Sequence, residues 1–171
     1  MLESKKKLVI KKTNLLLTRP KEDSVRLSML FDESEFNFFI APLIQIKQKS
    51  YNYDENCKFD YIIFTSKNGL SNFNNLKESD KIIVIGDGTY LLAKKMGMKK
   101  VINVKGNTLD LKKKIKLLLK KGQSILHPTE VSLNLDLKNF FINHEFYYNH
   151  IGCYISKMKN SDPEIFENFF K

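Results

Sequence analysis

The sequence is poor in cysteine and contains no long apolar run, and each absence excludes a class of protein. Its two cysteines, Cys57 and Cys153, match neither a metal-ligand spacing nor a disulfide framework. No apolar run approaches the ~20 residues that a membrane-spanning helix needs. The basic N-terminus lacks the apolar stretch and the cleavage site of a signal peptide. The sequence therefore predicts a protein of a reducing cytoplasm, without a membrane span.

Arginine is also scarce, although the chain is strongly basic. The sequence has 29 basic residues against 19 acidic ones, and its net charge of +10 is of a size found in nucleic-acid-binding proteins. Only Arg19 and Arg26 are arginines, whereas proteins that read bases and phosphates rely on the guanidinium fork. We expect most lysines to lie on solvated faces, and we do not expect nucleic acid as the main partner. A positive field still favours an anionic ligand.

Short apolar runs alternate with amphipathic stretches along most of the chain. The runs are rich in Ile, Val, Phe and Tyr and are continuously apolar, as expected of strands buried on both faces. The repeated order of strand and helix predicts an α/β fold, with a flavodoxin-like parallel sheet flanked by helices. The predicted strands are Asn14–Thr18, Asn37–Ala41, Leu43–Gln48, Tyr61–Thr65, Lys81–Ile85, Val101–Val104, Ser124–His127 and Asn149–Ser156, and the predicted helices are Lys21–Phe31, Asn68–Phe73, Thr89–Met96, Thr108–Lys120, Leu135–Asn143 and Asp162–Phe170.

One passage interrupts this alternation and predicts a division into two lobes. Two extended pieces join at Pro42, a residue that suits an edge or connecting strand, and a polar stretch without a helix follows them. We expect a complete central lobe and a first lobe that is only partly present, because its sequence contains two core strands. The predicted boundaries are 1–41 with 157–171 for the partial first lobe, 42–58 for the connection and 59–156 for the central α/β lobe.

Small and hydroxylated residues follow nearly every predicted strand. Ligands of open parallel sheets bind beyond the carboxyl ends of the strands. Such residues cap helices, and their turns also leave backbone amides for carboxylates or phosphates. For any single turn, capping is the simpler interpretation, whereas the whole set favours a crevice for an anion. The strand ends are Thr18-Arg19-Pro20, Thr65–Asn68, Gly86–Thr89, Gly106–Thr108, His127–Thr129 and Tyr154.

The same strand ends argue against several common sites. The segment Gly86–Leu91 resembles the start of a dinucleotide fingerprint, but a leucine replaces its third glycine, and Lys105 stands where an acidic ribose ligand is expected. His127, His144 and His150 lack the spacing of metal ligands, and we expect them to be surface or packing residues. The sequence therefore predicts neither a dinucleotide site nor a metal site.

Four segments, in order along the chain, resemble the uroporphyrinogen-III synthase family. Each is weak alone, but their order and spacing together are typical of that family, and the resemblance covers residues from about 13 to 156. The segments are Leu17-Thr18-Arg19-Pro20 with Ala41–Ile46, Phe59–Gly69 with its Thr-Ser pair after a strand, Lys81–Gly97 with its Gly-x-x-Thr turn, and Ser124–Pro128 with Leu137–Tyr154.

The resemblance implies a cofactor-free enzyme of haem and related tetrapyrrole synthesis. Enzymes of this family close hydroxymethylbilane, a linear tetrapyrrole, into uroporphyrinogen III and invert its last pyrrole ring. Loss of the terminal hydroxyl gives an electrophilic methylene. The last ring attacks this methylene through its substituted carbon, and the resulting spiro intermediate fragments and recloses. The acetate and propionate carboxylates of the substrate would suit a basic crevice.

The resemblance also implies roles for four residues. Tyr154 matches a tyrosine near the family's cleft and is predicted to donate a proton to the departing hydroxyl; alternatively, its hydroxyl only caps a loop. Ser66 and Thr89 match cleft-lining positions and are predicted to bind substrate carboxylates. Arg19 is predicted to pair with a carboxylate or to brace the junction of the lobes. No cofactor-binding or metal-binding residue is implied.

The chain departs from the family because the part of a usual member that would follow Lys171 is absent from this sequence. We therefore expect one wall of the cleft to be missing and catalysis to be impaired. The partial first lobe is expected to be a loosely held arm that self-associates through exposed apolar side chains. The alternative function is a non-catalytic flavodoxin-like domain that binds an anionic ligand or nucleic acid. The side chains expected to be exposed are Leu15, Leu17, Phe38, Phe39, Phe166 and Phe169.

Overall fold

The computed structural model describes residues 11–132 and 135–171, so the first ten residues of the predicted first lobe lie outside the described residues. Strands and helices alternate within two compact units. Unit 1 comprises the described residues up to Ile46 together with Ser156–Lys171, and unit 2 comprises Lys47–Ile155. The elements are β1 (Thr13–Leu17), α1 (Lys21–Ser28), β2 (Phe36–Ile40), β3 (Ile44–Gln48), β4 (Tyr61–Phe64), α2 (Lys67–Asn72), β5 (Lys81–Ile85), α3 (Asp87–Lys95), β6 (Lys100–Val104), α4 (Thr108–Leu118), β7 (Ser124–Glu130), α5 (Leu135–Asn143), β8 (Tyr147–Met158) and α6 (Pro163–Phe169).

The larger sheet contains six strands in the order β3-β8-β7-β4-β5-β6. Its β4 pairs in parallel with both β5 and β7, β5 pairs in parallel with β6, and β7 pairs in parallel with β8. Parallel neighbours need crossover connections, which the helices between these strands supply. The structure confirms the predicted α/β fold with a mostly parallel sheet flanked by helices.

The core of unit 2 joins this sheet to α4 and α5. Helix α4 begins with a capping box, in which the Asn107 side chain accepts a hydrogen bond from Leu109 N at 2.8 Å and Asp110 Oδ2 accepts one from Asn107 N at 3.0 Å. Its buried residues Leu111 and Ile115 are four positions apart and face the core, whereas Leu109 and Leu117 are exposed. The buried cluster consists of Ile63, Ile83, Val104, Leu111, Ile115, Leu119, Ile125, Leu137, Phe140, Phe141 and Phe146.

Strand β7 is longer than the sequence predicted, because it continues through Pro128 to Glu130. Proline has no N–H to donate to a neighbouring strand. The pairing of β7 with β4 involves Ile125 and Leu126, so Pro128 lies beyond that ladder, and its pairing with β8 continues to Glu130. The prediction that this strand ends at His127 was therefore wrong at its carboxyl end.

Unit 1 contains a two-stranded parallel sheet of β1 and β2. Helix α6 packs against it, because the rings of Phe39 and Phe169 meet edge to face at 5.6 Å and Asn14 Nδ2 donates to the Phe169 carbonyl at 3.2 Å. The prediction of exposed apolar side chains in this part of the chain was wrong. Leu17 is buried, and Leu15, Phe38, Phe39, Phe166 and Phe169 are all partly buried.

None of the helices in the described part of the chain is both long enough and apolar enough to cross a membrane.

Candidate active site

The candidate site lies at the carboxyl end of β4, where Thr65 and Ser66 follow the strand. Ser66 is the N-cap of α2, and its Oγ accepts a hydrogen bond from Gly69 N at 3.2 Å. A Cβ on Gly69 would lie 2.6 Å from the carbonyl oxygen of Pro128. Only glycine therefore allows α2 to approach β7 this closely, and this approach holds Ser66 beside the end of β7 and beside Tyr154 of β8.

Tyr154 of β8 completes a hydroxyl pair with Ser66. The Ser66 Oγ and the Tyr154 OH are 3.3 Å apart, and either atom can be the donor. Only 6% of Tyr154 is exposed. Burial raises the pKa of this phenol, and hydrogen bonds to the Ser66 and Thr129 side chains oppose that rise. The phenol therefore keeps its proton at neutral pH and can serve as a hydrogen-bond donor.

An irregularity between β7 and β8 places Tyr154 at this position. The pairing shifts between Thr129 and Glu130, so that Glu130 stands opposite Tyr154. Val131 N then donates to the Tyr154 carbonyl at 2.8 Å. A Cβ on Gly152 would lie 2.8 Å from the Cα of Val131, so glycine is required where the two segments converge. The backbone on both sides of Tyr154 is thus fixed by close packing.

A second set of hydrogen bonds involves Thr65, the other residue at the end of β4. Its Oγ1 is 3.1 Å from Nε2 of His127, and Nδ1 of the same ring is 2.7 Å from the hydroxyl of Tyr148. His127 is 2% exposed. Burial, with a smaller contribution from the charge of His150, lowers the pKa of His127 to about 3. The imidazole is therefore neutral at physiological pH and has a partner at each nitrogen.

The structure brings together two of the four predicted site residues, Ser66 and Tyr154. Thr89 belongs to the first turn of α3, also in unit 2, and is 4% exposed. Arg19 lies in unit 1, between β1 and α1, with an exposed side chain and a carbonyl that accepts a hydrogen bond from Ser24 Oγ at 3.0 Å. The binding roles of Arg19 and Thr89 stay predictions.

Two surface cavities of unit 2 do not include the hydroxyl pair. One, of about 510 Å³, is lined by polar residues of which Gln48, Tyr51 and Asn75 are examples. The other, of about 330 Å³, lies at the start of β4 and β5, with Asp60 and Lys81 in its wall. Charged side chains, among them Glu55, Lys77 and Asp80, line the second cavity as well. Within residues 11–132 and 135–171, no group of three or more His, Cys, Asp or Glu side chains is arranged to hold a metal ion.

A mostly parallel α/β sheet with polar residues at the carboxyl ends of its strands defines a class of fold that binds ligands at this edge. Within that class, the sequence model of uroporphyrinogen-III synthase HemD matches residues 25–171. The chain therefore belongs to the uroporphyrinogen-III synthase family, and this match confirms the family that the four sequence segments indicated. A search of curated proteins found no significant match.

Solved structures of two bacterial uroporphyrinogen-III synthases show the same fold. The structure from Helicobacter pylori is 15% identical over 93% of this chain and 68% of its own, with a TM-score of 0.61. A mutant from the extremely thermophilic bacterium Thermus thermophilus is 12% identical over 90% of this chain and 65% of its own, with a TM-score of 0.55. This chain thus spans about two thirds of the length of each.

Sequence reasoning missed the linkage of Thr65, His127 and Tyr148. It assigned His127 to the surface or to packing, and the structure shows a buried ring that also joins two hydroxyl groups. Thr65 and Tyr148 lie 62 and 21 positions from His127, so no local spacing connects them. The only available signal was that Thr65 and His127 end two predicted strands, which become neighbours in the sheet although β7 continues past His127.

Proposed function

We propose that this chain is a uroporphyrinogen-III synthase that converts hydroxymethylbilane into uroporphyrinogen III. The observation that carries the proposal is the Ser66–Tyr154 hydroxyl pair, at 3.3 Å, at the carboxyl edge of the sheet in a chain of this family. A neutral phenol is a suitable donor to a leaving hydroxyl, and its burial in unit 2 keeps it protonated.

In the first step, the terminal C–O bond of hydroxymethylbilane breaks. Tyr154 gives its proton to the departing hydroxyl, which leaves as water, while a pyrrole nitrogen supplies the electron pair that forms the methylene electrophile. Hydrogen bonds to the Ser66 and Thr129 side chains lower the pKa of the phenol and so stabilise the phenolate as it forms. The pair therefore acts as one unit, with Tyr154 as acid and Ser66 as its support.

The remaining steps rearrange the last pyrrole ring. Its substituted carbon attacks the methylene to give a spiro intermediate, one bond of that intermediate breaks, and the ring recloses through its other carbon. The proton lost from that carbon restores the Tyr154 phenol, so that water is the only net product besides the macrocycle. The protein's main contribution is to hold a flexible chain in one geometry, which can lower a barrier by several kcal/mol.

Substrate binding in this proposal relies on carboxylate recognition. Arg19 would form a charged pair with one carboxylate and the Thr89 hydroxyl would donate to another, whereas the single proton of Ser66 serves the Tyr154 phenol. The support for this is the matching of these positions to the family's motifs and the net charge of +10, which favours an anionic substrate. Because Thr89 is 4% exposed, we expect Arg19 to contribute more to carboxylate binding than Thr89.

The test is the isomer composition of the product. The chain is incubated with hydroxymethylbilane, the product is oxidised to uroporphyrin, and isomers I and III are separated by chromatography. Isomer I forms spontaneously in buffer, so an excess of isomer III is the sign of catalysis. We expect isomer III to dominate in the presence of the chain. An isomer ratio equal to that in buffer contradicts the proposal.

Tyr154→Phe tests the assignment of the acid. Removing a general acid typically costs a factor of about 10² to 10⁴ in rate, and we expect kcat to fall within that range while the chain stays folded. Tyr147→Phe is the matched control, since Tyr147 lies on the same strand and is 69% exposed. Equal activity of the two variants would remove Tyr154 from the mechanism.

A further inference from the structure

Three side chains form a hydrogen-bonded series that ends beside the proposed acid. The series begins at Tyr148 of β8, whose ring stacks on Phe141 with centroids 5.0 Å apart. It continues through His127 of β7 and ends at Thr65, the residue that precedes Ser66. Tyr148 is partly buried and His127 almost completely so. The series therefore runs from the core of unit 2 to the carboxyl edge of its sheet.

The buried ring determines the direction of these hydrogen bonds. A neutral imidazole has one N–H and one lone pair, and burial keeps His127 neutral. The Tyr148 hydroxyl needs an acceptor for its proton because burying an unpaired donor is costly. Its 2.7 Å contact makes Nδ1 that acceptor. Nε2 therefore carries the ring proton and donates it to Thr65 Oγ1.

The consequence for Thr65 is that its oxygen is already used as an acceptor. A threonine hydroxyl has a single proton, and this proton then points away from His127. We infer that Thr65 is a further substrate-binding residue whose hydroxyl donates to a carboxylate of the substrate, and that His127 and Tyr148 are positioning residues that fix this direction. The identity of the substrate rests on the proposed function, whereas the direction of the hydrogen bonds does not.

This arrangement separates the roles of two consecutive residues. Ser66 Oγ accepts from Gly69 N and contacts the Tyr154 phenol, so it serves the acid. Thr65 Oγ1 accepts from His127 and serves the anion. An ionised carboxylate can accept hydrogen bonds but cannot donate them. A hydroxyl held as a donor therefore favours a carboxylate over a ligand that must itself donate.

The first experiment reads the tautomer directly. The chain is labelled with ¹⁵N-histidine, and NMR signals of His127 are assigned by their loss in His127→Gln. We expect the tautomer with the proton on Nε2, unchanged between pH 5 and pH 8. A ring protonated on Nδ1, or on both nitrogens, overturns the inference whether or not the chain is active.

The second experiment measures binding of uroporphyrin III, a stable octacarboxylate, by fluorescence at fixed ionic strength. Thr65→Val removes the donor at nearly constant shape, and we expect a Kd about tenfold higher, the effect of one hydrogen bond to a charged group. Thr65→Ser keeps a hydroxyl and should lose less. His144→Asn is the control. His144 follows α5, contacts the Phe140 carbonyl of that helix, and belongs neither to the Ser66–Tyr154 pair nor to the series of Tyr148, His127 and Thr65.

Two substitutions of His127 separate positioning from general structure. A glutamine amide can replace Nε2 and reach Thr65, whereas an asparagine amide can replace Nδ1 and reach Tyr148. We expect His127→Asn to weaken binding as Thr65→Val does, and His127→Gln to recover part of the loss. A purely structural role would make Kd follow the melting temperature of each variant instead.

The possible outcomes distinguish this inference from the proposed function. Three results would each overturn the inference. The first is a Kd of folded Thr65→Val equal to that of the wild type, and the second is an equal loss of binding in the two His127 variants. The third is no binding of uroporphyrin III by the wild type. If the expected pattern of Kd values is found but the wild type leaves the isomer ratio unchanged, the proposed function fails and the carboxylate site stands.

Discussion

The two units use the same strand–helix–strand element but differ in how deeply they bury their apolar side chains. In unit 2, central strand residues such as Ile63, Ile83 and Ile125 are completely buried. In unit 1, Leu17 is the most deeply buried residue of β1 and β2, with 9% of its surface exposed. A sheet with more strands removes more apolar surface from water for each residue that it orders.

The comparison explains where the buried polar chemistry is found. His127 is 2% exposed and is surrounded by a core that shields it, so its pKa falls to about 3. Tyr154 and Thr89 are likewise almost completely buried in unit 2. In unit 1, the predicted Arg19 side chain is exposed, and the hydroxyl of the buried Ser24 donates within its own segment, to the Arg19 carbonyl. Deep burial makes a hydrogen bond directional and a pKa shift large, and we infer that unit 2 positions the reacting groups.

The largest expected effect is the loss of an aromatic ring from the core of unit 2. Phe141 is completely buried, and its ring contacts Phe140, Phe146 and Tyr148. Phe141→Ala should lower the free energy of unfolding by about 3–5 kcal/mol, since both transfer energy and a cavity are involved.

Phe39→Ala in unit 1 is the matched substitution for this comparison. Phe39 is partly buried, and its ring meets that of Phe169. We expect a smaller loss, of about 1–2 kcal/mol. Urea unfolding followed by circular dichroism measures both values. Equal losses would show that the two units are equally well packed and would remove the basis of the comparison.

The histidine contribution to a pH-dependent loss of stability should be confined to unit 2, which contains all three histidines. The pKa of His127 is lower in the folded chain than its usual 6.5. Between pH 6.5 and about 3, the unfolded chain therefore binds more protons, and folding weakens as the pH falls. The slope approaches about 1.4 kcal/mol per pH unit for one such group.

His127→Gln is the variant that tests this origin. Glutamine does not titrate, so the free energy of unfolding of the variant should vary less between pH 6.5 and about pH 4.5 than that of the wild type. The two chains are compared by urea unfolding at each pH. The same slope in both would assign the pH dependence to carboxylates and not to the buried imidazole.

Sequence patterns predicted the strands of unit 2 well because these strands are buried on both faces. The run Tyr61–Thr65 and the run Lys81–Ile85 are continuously apolar, and the structure contains β4 and β5 at almost the same bounds. The end of β7 was missed because a proline normally interrupts a ladder, and only the tertiary pairing shows that Pro128 lies beyond the ladder with β4.

The site was predictable only in part. Ser66 and Tyr154 came from resemblance to a family, since 88 positions separate them and no periodicity brings them together. The role of His127 depends on partners contributed by two other parts of the sheet. Burial keeps the His127 ring neutral. Whether a residue of β7 is buried depends on the packing of the whole fold, which the local sequence does not show.

The most local of the expected effects on stability comes from a single methyl group on Gly69. Its Cβ would lie 2.6 Å from the Pro128 carbonyl, so α2 must move away from β7 in Gly69→Ala. Overpacking costs about 1–3 kcal/mol, and we expect a loss within that range because the clashing carbonyl belongs to the backbone of β7 and cannot rotate away as a side chain can. Because the Gly69 N–H binds Ser66 Oγ, the shift should also lengthen the Ser66–Tyr154 contact and lower kcat in the isomer assay.

Gly88→Ala is the control within the same unit. Gly88 lies in the first turn of α3, and a Cβ there would meet only the flexible end of Lys67 at 3.6 Å. Alanine at a compatible helical position is expected to raise the free energy of unfolding by about 0.5–1 kcal/mol. The two variants therefore change stability in opposite directions for the same chemical change. If Gly69→Ala is as stable and as active as Gly88→Ala, the close approach of α2 to β7 does not position Ser66.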